Sequence, residues 1–117
     1  MCHVLIIEDD WIIADHIAGL VELAGALSVD LAATEEEAVA RARERPPAVI
    51  VSDVSLRSGH GPSAVAQIAA ELGPIPVMFV TGEPLAYRAA PADAPVLHKP
   101  VDDQVLKATF KAIAHLP

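Results

Sequence analysis

The sequence predicts an α/β fold, a doubly wound five-stranded parallel sheet with helices on both faces, built as one domain over residues 1–117. Three observations carry this. Short apolar runs without polar alternation, above all His3 to Ile7 and Val49 to Val51, read as strands buried on both faces, and such strands belong to parallel sheets covered by helices. Between these runs the apolar residues recur at helical spacing. The two patterns alternate along the whole chain, and right-handed crossovers then place helices on both sides of the sheet.

In chain order, the first strand, His3 to Ile7, ends in the carboxylates Glu8, Asp9 and Asp10. Asp10 can cap the helix that follows, whose inner face is Ile13, Ile17, Leu20 and Ala24 and whose end is Gly25. Trp11, next to the acids, is expected to pack partly buried. Leu27 to Ala32 alternates and suggests a shorter, more exposed strand. Thr34-Glu35-Glu36-Glu37 is a capping box, with Thr34 as N-cap, and opens a helix through Ala38, Val39 and Ala42. That helix ends in a basic turn suited to its dipole and stops at Pro46-Pro47. The central strand runs from Val49 into Ser52 and Asp53, and a loop over Val54 to Pro62 follows it. Ser63 to Leu72 reads as a helix with Val65, Ile68, Ala69 and Leu72 inward. Pro76 to Val80 is a strand finishing at Thr81-Gly82. Glu83 to Pro95 holds three prolines, so a helix there is expected to be short or irregular. Val96-Leu97-His98 is a short strand leading to Lys99-Pro100, and Asp102 to Leu116 a closing helix with Val105, Leu106, Thr109, Ala112 and Ile113 inward.

Composition narrows the function. A formal charge of −8 repels nucleic acid and anionic lipid alike, so a protein or cationic partner is favoured. The single cysteine, Cys2, excludes an internal disulfide or a cysteine-rich zinc site and fits the cytoplasm. No run reaches the length of a membrane span. The five histidines show no ligand spacing and are read as structural or exposed. The glycines around His60 form no phosphate-cradling motif, which argues against nucleotide binding.

In a doubly wound sheet all strands end on one edge, where ligands bind. There the topology gathers Glu8, Asp9, Asp53, Thr81 and Lys99, although they are far apart in sequence. An aspartate at a strand end can simply initiate a turn or cap a helix, but here it meets two further acids. Carboxylates about 4 Å apart repel by roughly 4 kcal/mol at an effective dielectric of 20, and a hard divalent cation such as Mg²⁺ relieves this. A carboxylate nucleophile, Asp53, beside Mg²⁺, an ammonium and a hydroxyl is equipment for accepting a phosphoryl group.

The motifs Ile7-Glu8-Asp9, Val51-Ser52-Asp53, Val80-Thr81-Gly82 and Lys99-Pro100, in that order, resemble the receiver domains of bacterial two-component response regulators over essentially the whole chain. The resemblance implies a flavodoxin-like sheet of order 2-1-3-4-5 and a cis Lys99-Pro100 bond. It implies Asp53 as phospho-acceptor, Asp9 as main Mg²⁺ ligand with Glu8 acting through water, and the Ser55 backbone carbonyl as a further ligand. Thr81 and Lys99 would contact the phosphoryl oxygens. The partners implied are a histidine kinase or histidine phosphotransfer protein. The segment around Phe79-Val80-Thr81-Gly82 is further similar to the FATGUY group of single-domain receivers, often served by HWE-type kinases. Val96 stands where most receivers carry an aromatic switch residue, and Val101 where a phenylalanine is common. The expectation is a stand-alone signalling module without substrate turnover, acting through protein contacts or as a phosphate shuttle or sink. The alternatives are a constitutive docking module and a Mg²⁺-dependent phosphohydrolase resembling haloacid dehalogenase-like enzymes. The latter need Asp-x-Asp after the first strand, where this chain has Glu8-Asp9-Asp10.

Overall fold

The computed structural model describes residues 2–82 and 94–117. Its strands are β1 (His3–Ile7), β2 (Ser28–Ala32), β3 (Val49–Asp53), β4 (Val77–Thr81) and β5 (Val96–His98), and its helices α1 (Trp11–Leu23), α2 (Glu35–Glu44), α3 (Gly61–Leu72) and α4 (Asp103–Ala114). The strands form one parallel sheet in the order β2-β1-β3-β4-β5. The helix expected between β4 and β5 lies outside the described residues.

Strand residues alternate between two apolar layers. Val4, Ile6, Val49, Val51, Met78 and Val80 face α1 and α4, while Leu5, Ile7, Ile50 and Phe79 face α2 and α3. Every residue of β1 and β3 is buried, as unbroken apolar runs require. At the edge, β2 is only half covered.

The helix ends follow their side chains. Asp10 Oδ1 accepts the amides of Ile12 and Ile13 at 3.0 and 3.3 Å and starts α1. Thr34 Oγ1 accepts the Glu37 amide at 3.0 Å, while Glu37 Oε1 reaches back one residue beyond the N-cap to the Ala33 amide at 2.9 Å. Gly25, at φ 120°, turns the chain out of α1.

Four expectations need correction. Trp11 is 74% exposed, because it falls on the outward stripe of α1 with Asp15, Gly19 and Glu22. Helix α3 begins at Gly61, two residues before Ser63, since Pro62 suits the first helical turn. Its Leu72 is exposed and Ala64 takes the inner place. On α4 the buried pair is Leu106 and Phe110, backed by Ile113, whereas Val105 and Ala112 face solvent. The inner face thus runs 106, 110, 113, at helical spacing.

Candidate functional site at the carboxyl edge of the sheet

Register builds the site. Ile7 pairs with Ser52 and Asp53 with Val80, so Glu8, the residue after Ile7, falls level with Asp53 across the β1–β3 seam. Thr81 pairs with His98, and the Lys99 amide donates to the Thr81 carbonyl at 2.8 Å, which carries Lys99 past the end of β5 toward the same edge. The Lys99–Pro100 bond is cis.

Glu8, Asp53 and Thr81 are buried although polar. Lys99 Nζ spans the first two, donating to Glu8 Oε1 at 2.9 Å and to Asp53 Oδ2 at 3.2 Å. The other oxygen of Glu8 accepts the Asp10 amide at 3.3 Å. Asp9 is held from the opposite side, its Oδ2 accepting the Arg57 amide at 2.6 Å with the guanidinium Nε at 3.9 Å. Below the site, Ser52 Oγ donates to the Asp53 carbonyl at 2.8 Å. Gly61 packs against that same carbonyl so closely that a Cβ there would lie 1.8 Å from its oxygen.

Burial dominates the electrostatics. It pushes the Glu8 carboxyl up from 4.5 to about 7, with Lys99 pulling it down and the Asp53 charge pushing it up. Burial also pulls the Lys99 ammonium down, but the hydrogen bond and charge of Glu8, then of Asp53, outweigh it and leave Lys99 raised. Lys99 is therefore charged across the neutral range. Below about pH 7 Glu8 retains its proton and Lys99 faces chiefly Asp53; above it the ammonium is shared by two carboxylates.

One carboxylate oxygen each from Glu8, Asp9 and Asp53 lies within 4.8 Å of the other two. Three hard oxygen donors so close, with one ammonium among them, fit a divalent cation such as Mg²⁺. Of the residues expected at the site, Glu8, Asp9, Asp53 and Lys99 come together directly, and Thr81 closes β4 beside them. Ser55 is exposed in the loop after β3 and bridges to His60. Val96 opens β5, half-buried opposite Phe79, on the α2–α3 face. Arg57 and Glu35 escaped sequence reading, because neither sits at a strand end and their partners are fixed only by the fold.

The model of the response regulator receiver domain family matches residues 4–111, and the chain belongs to that family. Among solved structures it is similar to the PhyR response regulator REC domain of Erythrobacter litoralis, at 26% identity and TM-score 0.83, covering 97% of this chain and 90% of that one. A putative response regulator from Chloroflexus aurantiacus is 28% identical with TM-score 0.86, covering 97% of this chain and 98% of that one. A double mutant of the anti-anti-sigma factor PhyR from Bartonella quintana is 30% identical, with TM-score 0.82; the match takes in 98% of this chain but only 49% of that protein. None of the curated proteins matches. Among the described residues no helix is long and apolar enough to cross a membrane.

Proposed function

We propose that this domain, spanning residues 1–117 and working in the cytoplasm, is a phosphorylation-dependent switch whose phospho-acceptor is Asp53. The observation that supports it most is the Lys99 ammonium held between Asp53 and Glu8 at the open edge of the sheet. The donor is a phosphohistidine on a histidine kinase, the HWE type included, or on a histidine phosphotransfer protein. A carboxylate oxygen of Asp53 attacks phosphorus. The P–N bond breaks, its electron pair stays on the imidazole nitrogen, and an aspartyl phosphate forms. Lys99 balances the incoming charge, and the Thr81 hydroxyl donates to a phosphoryl oxygen. Mg²⁺, held by Asp9, Asp53 and the Ser55 carbonyl with Glu8 acting through water, would supply the remaining positive charge.

A protein donor has somewhere to rest. Beside the acids, α1 and the start of α4 border a groove of about 580 Å³ lined by Ile12, Ile13, Ile17, Pro100, Val101 and Leu106. Trp11 and Ile12 stand exposed at the acid end of α1. The output is contact with a further protein or passage of the phosphoryl group onward, with Thr81 and the Val96 position as the switch region. In the test, the protein is incubated with acetyl phosphate and Mg²⁺ and weighed by mass spectrometry. One added phosphoryl group is expected, absent from Asp53→Asn and absent when Mg²⁺ is chelated. Labelling that persists in the Asn variant refutes Asp53 as acceptor.

A further inference from the structure

We propose that Glu35, which lies outside the acid pocket, is a positioning residue for it, clamping the loop 54–60 whose Arg57 amide holds Asp9. The inference rests on the phospho-acceptor reading above, in which Asp9 is a metal ligand.

Three consecutive glutamates open α2, and they behave differently. Glu37 turns back to its own N-cap, and Glu36 is exposed. Glu35 alone crosses to the loop after β3. Its Oε1 accepts the His60 amide at 2.9 Å, and its Oε2 accepts the Ser63 hydroxyl at 2.9 Å and the Gln67 side-chain amide. Its own amide donates to the Ser58 carbonyl at 3.2 Å. The loop is thus pinned at residues 58 and 60 by one residue, which is tied in turn to two successive turns of α3. Gly59, between the pins, lies at φ 92°, and a Cβ there would come within 2.3 Å of Glu35 Cβ, so the backbone is seated directly on this side chain.

The loop's other side reaches the pocket. Arg57 lies one residue before the pinned stretch, and its amide donates to Asp9 Oδ2 at 2.6 Å. The loop is braced from within by the Ser55–His60 bridge and the Gly61 amide on the Val54 carbonyl at 3.0 Å, and hydrogen bonds to an ionised carboxylate, among the strongest available, tie it to α2. The Ser63 hydroxyl and the His60 amide keep the Glu35 carboxyl below its ordinary range, so it is ionised at neutral pH. The contacts run unbroken from Glu35 through residues 58–60 to the Arg57 amide and Asp9. With the clamp removed, the loop and the Asp9 carboxylate lose their fixed relation.

The test compares Glu35→Ala and Glu35→Gln with Glu71→Ala, which breaks the Arg43–Glu71 pair elsewhere on the α2–α3 seam. Two quantities are measured on the unphosphorylated proteins: the Mg²⁺ dissociation constant, from the fluorescence of the single Trp11 or from thermal shift, and amide hydrogen exchange of residues 54–60. Glu35→Ala is expected to weaken Mg²⁺ binding roughly tenfold, the scale on which outer residues orient metal ligands, and to speed exchange in the loop. Glu35→Gln, which keeps one acceptor oxygen, should fall between, and it stands in if the Ala variant does not fold. Glu71→Ala should match wild type in both. Faster exchange with an unchanged dissociation constant overturns the positioning role alone, as does equal weakening in Glu71→Ala. A wild type that binds no Mg²⁺ overturns the phospho-acceptor reading and this inference with it.

Discussion

Glu8→Gln isolates the energetic strain of the pocket. Glu8 is 4% exposed, and burial, opposed by Lys99 and reinforced by Asp53, pushes its carboxyl from 4.5 to about 7. Between those two values the folded protein keeps a proton that the unfolded chain has released, so folding stability falls as pH rises through the window. The contribution of Glu8 is fully present below about pH 4.5, is lost progressively up to about pH 7, and is flat above it. At about 1.4 kcal/mol for each pH unit crossed, the loss across the window is about 3 kcal/mol. Glutamine has nearly the same volume and no proton to lose, and Lys99 keeps Asp53 as partner in the variant. Urea unfolding followed by circular dichroism in metal-free buffer, at steps from pH 4.5 to 8, should show wild type losing about 3 kcal/mol relative to Glu8→Gln. Added Mg²⁺ should restore wild type at pH 8 more than the variant. Parallel pH curves for the two proteins would refute the claim that a buried Glu8 carboxylate strains the fold.

Gly61→Ala should slow acetyl phosphate uptake sharply, because its Cβ would fall 1.8 Å from the Asp53 carbonyl oxygen and 2.6 Å from Ser52 Oγ, displacing the end of β3; single-turnover labelling checks it. Trp11→Ala should slow transfer from a phosphohistidine protein by about tenfold, as loss of an exposed aromatic anchor does, with no change for acetyl phosphate. Equal slowing with both donors would remove Trp11 from the docking surface. Phe110→Ala, at a fully buried site on α4, should cost about 3–5 kcal/mol in urea unfolding.

What the sequence made legible follows from where its signals are local. The apolar runs of β1 and β3 stop at Glu8 and Asp53, so strand ends and acid positions are read together, and Thr81 and Lys99 follow from the same rule. Asp10 and Thr34 announce their helices because a cap acts within three residues. Failures arise where burial depends on what lies beneath a helix. Trp11 is apolar and adjoins the acids, yet it lies one turn before Asp15 on the outward stripe of α1. On α4, Val105, Thr109 and Ala112 form a plausible stripe, but the buried face is that of Leu106 and Phe110, and the large ring takes the core position instead. Glu35 and Arg57 join residues 25 and 48 positions away, and no local pattern encodes either distance.

The charge arrangement suggests how the proposed modification is felt beyond Asp53. Lys99 now divides itself between Glu8 at 2.9 Å and Asp53 at 3.2 Å. An aspartyl phosphate carries more negative charge than the carboxylate it replaces, so the Asp53 side of that division strengthens. The Glu8 side weakens, and a buried carboxylate deprived of its ammonium must take up a proton or a cation. Lys99 ends the segment that begins with β5, whose first residue is Val96, opposite Phe79. With valine at that position no aromatic side chain is available to turn inward behind Thr81. A displacement of Lys99 would then reach Thr81 through the backbone the two share, where the Lys99 amide meets the Thr81 carbonyl at 2.8 Å. A shift of Lys99 toward a phosphorylated Asp53 would pull on the bond that ties β5 to β4, which favours an output on the β5 side of the sheet, away from the Glu35 clamp.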